Sequence, residues 1–175
     1  GMSGVAAAGL GLILGLMMAV DLGGPVNKVA YSFAVAGLGA GSLVENPAPL
    51  MIMAAVMAAG MVPPLAMALA TVLAPKLFSG AERENGKAAW LLGAAFISEG
   101  AIPFAAADPL RVIPASMVGA GVTGSLVMVF NVVSQAPHGG IFVFFAMNNT
   151  WPLFGLATVI GTVISALLVI ILKKF

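Results

Sequence analysis

Long apolar runs, separated by short breaks carrying Gly, Pro and charge, make up almost all of this chain. The first run covers Val5 to Val20 and ends at Asp21. The break Asp21-Leu22-Gly23-Gly24-Pro25-Val26-Asn27-Lys28 cannot be regular helix throughout, because two glycines and a proline interrupt it. A second run, Val29 to Val44, is short for a full crossing and either spans or re-enters. After Glu45-Asn46-Pro47-Ala48-Pro49, the third run, Leu50 to Ala74, is long enough to span. Pro63-Pro64 near its middle removes two backbone donors, which predicts a kink or a break there. Residues 76–87 hold Lys76, Glu82, Arg83, Glu84 and Lys87 and read as a soluble loop.

Ala88 to Ile97 and the stretch after Pro103 are each too short to span. Joined through Ser98-Glu99-Gly100-Ala101-Ile102-Pro103, they predict a re-entrant helical hairpin over about residues 88–110. A full span fits Val112 to Val133, Pro137-His138-Gly139-Gly140 breaks the chain again, and the last span covers about Leu153 to Leu172. Gly11 and Gly15, and Gly37 and Gly41, are spaced by four and predict close helix packing. The basic residues of the 76–87 loop and of the Lys173-Lys174 tail predict that both are cytoplasmic.

Composition turns this pattern into a class. Hydrophobic residues make up 61% of the chain and charged residues 7%, against about 25% charged in a soluble domain. The runs are continuous rather than alternating, so the spans are helical and not barrel strands. The expected fold is an all-α integral membrane bundle with broken helices and re-entrant hairpins. At roughly 20 residues per span, 175 residues leave no room for a soluble catalytic domain. A net charge of +1 gives no electrostatic footprint for nucleic acid. Cysteine is absent and histidine occurs once, so no metal site and no cofactor is expected. Gly1-Met2 reads as a tag scar or cut point, and the chain as a fragment of a longer protein.

Six charged residues lie outside the loop and the tail: Asp21, Lys28, Glu45, Glu99, Asp108 and Arg111. All six sit at breaks between apolar runs. A charge in hydrocarbon is costly, so it faces a cavity or a partner. Broken helices free backbone groups at the same depth, and transporters build substrate sites from that combination. Glu99, at the tip of the expected hairpin, can accept hydrogen bonds from solute hydroxyls; the plainer alternative is that it only holds freed N–H groups. Lys28 and Arg111 follow Asp21 and Asp108 closely, as structural ion pairs or as charges in a site. Glu45 reads as an anchor at an outer turn. His138 can donate to a hydroxyl or merely satisfy a local carbonyl. Asn131 reads as glue between helices, and the methionines from Met51 to Met67 as lipid-facing or core filling.

Four longer segments go further. They are Asp21 to Tyr31 (DLGGPVNKVAY), Met57 to Leu65 (MAAGMVPPL), Ile97 to Ala115 (ISEGAIPFAAADPLRVIPA) and Ala136 to Val143 (APHGGIFV). In this order they resemble the fructose-family enzyme IIC of the bacterial phosphoenolpyruvate-dependent sugar phosphotransferase system. The resemblance is to roughly the C-terminal half of that membrane domain. It implies a protein of the bacterial inner membrane that carries a sugar across and presents it for phosphorylation on the cytoplasmic side. The phosphoryl group comes from a phosphocysteine on a IIB domain, and the lack of Cys here agrees with IIB lying elsewhere. It also implies a homodimer in the full-length protein, with the C-terminal half forming a mobile sugar-binding domain with two re-entrant hairpins.

By the same resemblance the sugar-contacting carboxylate maps onto Glu99. The other motifs bring in Gly24, Asn27, Lys28, Ser98, Asp108, Arg111, His138 and Gly139 as substrate-binding candidates. One departure stands out: the wider superfamily places a site His before its Glu motif, whereas His138 follows it. Glu99 would bind the acceptor hydroxyl and act as general base. Phosphoryl transfer needs in-line positioning and charge stabilisation, which Lys28 or Arg111 can supply. Two other readings stay open: a secondary transporter or facilitator that leaves its solute unmodified, and a half domain that transports nothing without its scaffold. Fructose is the family default, with mannose and mannosyl-glycerate close.

Overall fold

The structure is a computed structural model and describes residues 4–175; the Gly1-Met2 start lies outside the described residues. Helix α1 covers Gly4–Val20, α2 Pro25–Leu38, α3 Ala48–Leu73, α4 Gly80–Ala94, α5 Ile102–Ala107, α6 Pro109–Val129 and α7 Trp151–Lys173. There is no strand among the described residues. Helices α3, α6 and α7 are long and apolar enough to cross a membrane.

Helix α3 is the central element, buried over most of its length and packed by α1, α2, α4, α6 and α7. Its methionines Met53, Met57, Met61 and Met67 are 0–1% exposed, so they fill the core and do not face lipid. Pro63-Pro64 does not break it: α3 runs unbroken for 26 residues. Packing on every side holds the helix, and the carbonyl of Gly60, which Pro64 leaves without an amide, takes a side-chain donor from elsewhere in the chain.

Helices α1 and α6 meet through a seam of small residues. A Cβ added at Gly11 would run into the Gly124 carbonyl, and one at Gly15 into the Ala120 carbonyl. The expected role of Gly11 and Gly15 therefore holds. Gly37 and Gly41 form no such seam: Gly41 lies beyond the end of α2, and both face Pro49 or Leu50. Substituting Gly15 by Leu is expected to cost more than about 3 kcal/mol, above the usual overpacking range, because the obstruction is backbone. A large drop in unfolding temperature in detergent checks it.

Two hairpins enter this bundle from opposite ends. At one end lie the start of α4, the end of α5, the start of α6 and the end of α7. Phe78, just before α4, stacks edge-on with Phe104 of α5 at 6.1 Å, and Lys173 lies over the Phe78 ring. Helix α4 is about 22 Å long at 1.5 Å per residue, less than the roughly 30 Å of a hydrocarbon core. It turns at Phe96, whose φ is +67°. The chain returns through a 3-10 turn, Ser98–Ala101, and α5. Residues 76–87, expected as a loop, are mostly helix. Ser79 and Glu82 form a reciprocal capping box that starts α4 at Gly80, so only Ala74 to Ser79 connect α3 to α4.

The second hairpin is α1–α2. The start of α1 borders a cavity with Glu45, Asn46, Pro47 and Val129, which puts it at the end where α3 begins and α6 stops. Helix α2, about 21 Å long, leads back to that end, where Gly41 meets Leu50. The second apolar run therefore returns and does not cross. Its turn uses positive φ at Leu22 and Gly23. Asp21 then accepts the amides of Val26 at 2.7 Å and Asn27 at 3.0 Å, neutralising the N-terminal dipole of α2. Asn131 is not glue between helices: it is exposed just past α6, at φ +55°.

Candidate functional site

The tips of the two hairpins meet inside the bundle. A Cβ built at Gly23 in the α1–α2 turn would collide with the Glu99 carboxylate at the α4–α5 tip. A third element arrives from the far end. Gly139 and Gly140, at φ +124° and +60°, turn the chain so that a Cβ at Gly140 would strike the Ala94 carbonyl. His138, one residue earlier, stacks on Phe96 with ring centres 4.8 Å apart. Tyr31 closes the group, 5.9 Å from Phe96 and 6.4 Å from His138.

Between these pieces is a cavity of about 210 Å³. Met18, Gly23, Asn27, Lys28 and Tyr31 line it from one hairpin, Phe96, Ser98 and Glu99 from the other, and His138 from the third element. That is below the roughly 300 Å³ where drug-sized pockets begin, and suits a small polar solute. A larger cavity of about 380 Å³ lies among Ile141, Phe144, Met147, Trp151, Phe154 and Gly155. It holds no titratable group, and the cavity beside the start of α1 holds Glu45 alone, whereas the smaller one gathers Lys28, Tyr31, Glu99 and His138.

The polar groups of the smaller cavity differ in what they have left to offer. The Asn27 amide donates to the Met18 carbonyl at 2.8 Å, which leaves its oxygen. Ser98 donates its single proton to the Gly60 carbonyl at 2.7 Å, so it can offer a solute only a lone pair. Among the described residues, Lys28 and Glu99 enter no ion pair, and His138 and Tyr31 make only ring contacts. A cation, a carboxylate, an imidazole and a phenol thus converge on one space with their polar atoms unused. That set can hold several hydroxyls at once, and the carboxylate can take a proton from one of them.

Other sequence candidates lie elsewhere. Asp108 and Arg111 are not at the cavity. Asp108 starts α6 at the end opposite the α1–α2 hairpin's entry, bonded to Lys173 at 3.1 Å and to Arg111 at 3.2 Å. Arg111 also donates to the Leu172 carbonyl at 2.9 Å. The spacing of three does offer the Asp108–Arg111 ion pair, which the structure bears out, but not the partners more than 60 residues away in α7. Gly24 does not line the cavity either; it leaves room for the Asp21 carboxylate to reach the start of α2. Gly139 sets the turn that delivers His138. Sequence reasoning does not single out Met18, Gly23, Tyr31 or Phe96 as individual site residues. Tyr31 carries a signal, lying one helical turn beyond Asn27 and Lys28 on the same face of α2. Phe96 carries none.

The Asp108 cluster has a pH signature. Partial burial opposes ionisation of Asp108, but the Lys173 hydrogen bond and charge, joined by Arg111, outweigh it and hold the carboxyl below its usual range. A depressed carboxylate stabilises fully above its unfolded value, near 3.9, and loses that contribution as pH falls through the lower folded value. The unfolding-temperature gap between wild type and Asp108→Asn is therefore expected to be constant above about pH 5 and to shrink in more acidic buffer.

An all-helical fold among the described residues, with three membrane-length apolar helices and a polar cavity between opposed hairpin tips, defines an integral membrane protein with an internal polar cavity. By sequence the chain is homologous to the fructose-specific membrane components of the phosphotransferase system. It is 53% identical over 94% of its length to the fructose-specific EIIABC component of Bacillus subtilis, covering 25% of that protein. It is 51% identical to the fructose permease IIC component of Bacillus amyloliquefaciens, covering 51% of it. It is 47% identical to the fructose-specific EIIC component of Haloferax volcanii, covering 42%. The chain thus spans about half or less of these relatives. No family model and no solved structure matches it.

Proposed function

We propose that this chain forms the sugar-holding part of a phosphotransferase-system fructose permease in the bacterial inner membrane. The observation that carries the reading is the convergence of unpartnered Glu99, Lys28 and His138 in one cavity at the hairpin tips. Fructose presents several hydroxyls and needs fixed polar partners. Glu99 accepts from the acceptor hydroxyl and draws off its proton as the phosphoryl group arrives from a phosphocysteine IIB domain. Lys28 is the basic side chain at the cavity among the described residues, since Arg111 is tied to Asp108, so Lys28 stabilises the developing charge. The α4–α5 hairpin re-enters from the cytoplasmic side. Lys76, Arg83, Arg111 and Lys173 lie at its base, which fits a cytoplasmic face.

The test is uptake of radiolabelled fructose into vesicles holding a full-length permease with this segment, loaded with phosphorylated IIB. Fructose phosphate inside the vesicles is the expected product. Unmodified fructose at the same rate with or without IIB would instead mark a facilitator.

A further inference from the structure

We infer that Gly60 and Pro64 of α3 form a seat for the α4–α5 tip, and that Ser98 is a positioning residue which locks the tip there and aims Glu99; the inference rests on the function proposed above. Pro64 has no N–H, so the Gly60 carbonyl lacks its helical partner inside an unbroken, buried helix. A buried carbonyl left unpaired is costly. The Ser98 hydroxyl, 38 residues away in sequence, donates to it at 2.7 Å. Two further contacts flank this bond. The Phe96 ring occupies the space a Cβ on Gly60 would fill. A Cβ on Gly100 would stand 3.1 Å from the Pro64 ring carbon. Residues 96, 98 and 100 thus bind the tip to α3, while Glu99 between them stays exposed toward the cavity.

The division of labour follows from the chemistry. The Phe96 and Gly100 contacts are apolar and set only proximity. The Ser98 bond is directional and fixes the rotation of the turn that carries Glu99. The acceptor is rigid because it sits on the most buried helix of the bundle. The MAAGMVPPL segment thereby acquires a role, in which its glycine opens the seat and its second proline frees the acceptor.

A merely structural Ser98 would only satisfy the orphaned carbonyl, and the two roles separate in a mutant cycle. The full-length permease would be prepared as Ser98→Ala, Pro64→Ala and the double variant, and assayed with fructose and phosphorylated IIB beside thermal unfolding in detergent. Ser98→Ala is expected to lower both the unfolding temperature and kcat, the latter at least tenfold. Pro64→Ala supplies an amide to the Gly60 carbonyl, so the double variant should regain unfolding temperature without regaining kcat. Recovery of kcat together with stability, or an undiminished kcat in Ser98→Ala, overturns the inference. Should Ser98→Ala fail to fold, the double variant alone decides. An inactive wild-type permease would overturn the functional reading and this inference with it, whereas a fully active double variant overturns the inference alone.

Discussion

Glu99→Gln is expected to lower fructose phosphorylation by about 10²–10⁴-fold, the usual loss of a positioned general base, with little change in folding. The amide matches the carboxylate in shape and still accepts a hydrogen bond, but it cannot take the proton that the attacking hydroxyl must lose. Folding should not suffer, because the Glu99 side chain is exposed toward the cavity and enters no ion pair among the described residues. The contrast with Asp21 is instructive. That carboxylate accepts two backbone amides at the start of α2, so its loss should weaken the fold before it touches chemistry. Phosphorylation assays beside a comparison of unfolding temperatures read both quantities. Near-normal turnover in Glu99→Gln would remove the catalytic role.

Gly23→Ala should be nearly as damaging, for a steric reason. Gly23 sits at φ +94°, where any side chain is strained, at a cost of roughly 1–2 kcal/mol. The added methyl would also enter the space of the Glu99 carboxylate. One of the two tips must move. A shift of about 1 Å at a reacting group costs on the order of 10²-fold in rate. The expected signature is a loss of phosphorylation of that order with a modest fall in unfolding temperature. Gly24→Ala differs in kind, since its methyl meets Asp21 and not Glu99; it should disturb the capping of α2 more than the cavity. Equal activity losses in the two variants would count against the tip-to-tip geometry.

Much of this arrangement is legible in the order of residues, and for definite reasons. Apolar runs of helical length mark α3, α6 and α7, since nothing but a helix satisfies its own backbone in hydrocarbon. Charge at the breaks draws attention to Glu99 and Lys28, because a charge in a membrane bundle needs a partner or a cavity. The proline pair in α3 misleads for the complementary reason. A proline takes away a donor, but the sequence does not say that Ser98 will supply another from a different hairpin. Asp108 and Arg111 mislead similarly. Their mutual ion pair is legible in the spacing of three, but Lys173 and the last turn of α7, which complete the cluster, are contacts that exist only after the chain has folded. The start of α4 does have a local signal: Ser79-Gly80-Ala81-Glu82 is a capping-box sequence inside what looks like a charged loop. His138 follows Glu99 by 39 positions yet lines the same cavity. Order along the chain therefore places no bar on the imidazole and the carboxylate serving one solute.

The most direct measurement is equilibrium binding of radiolabelled fructose to a full-length permease carrying this segment, beside its Glu99→Gln variant, in the absence of IIB. Saturable binding by the wild type that is lost or greatly weakened in the variant is the result expected if the hairpin tips hold the sugar around Glu99. Binding of equal tightness in both would contradict it, and would move the sugar away from the cavity where the two hairpins meet.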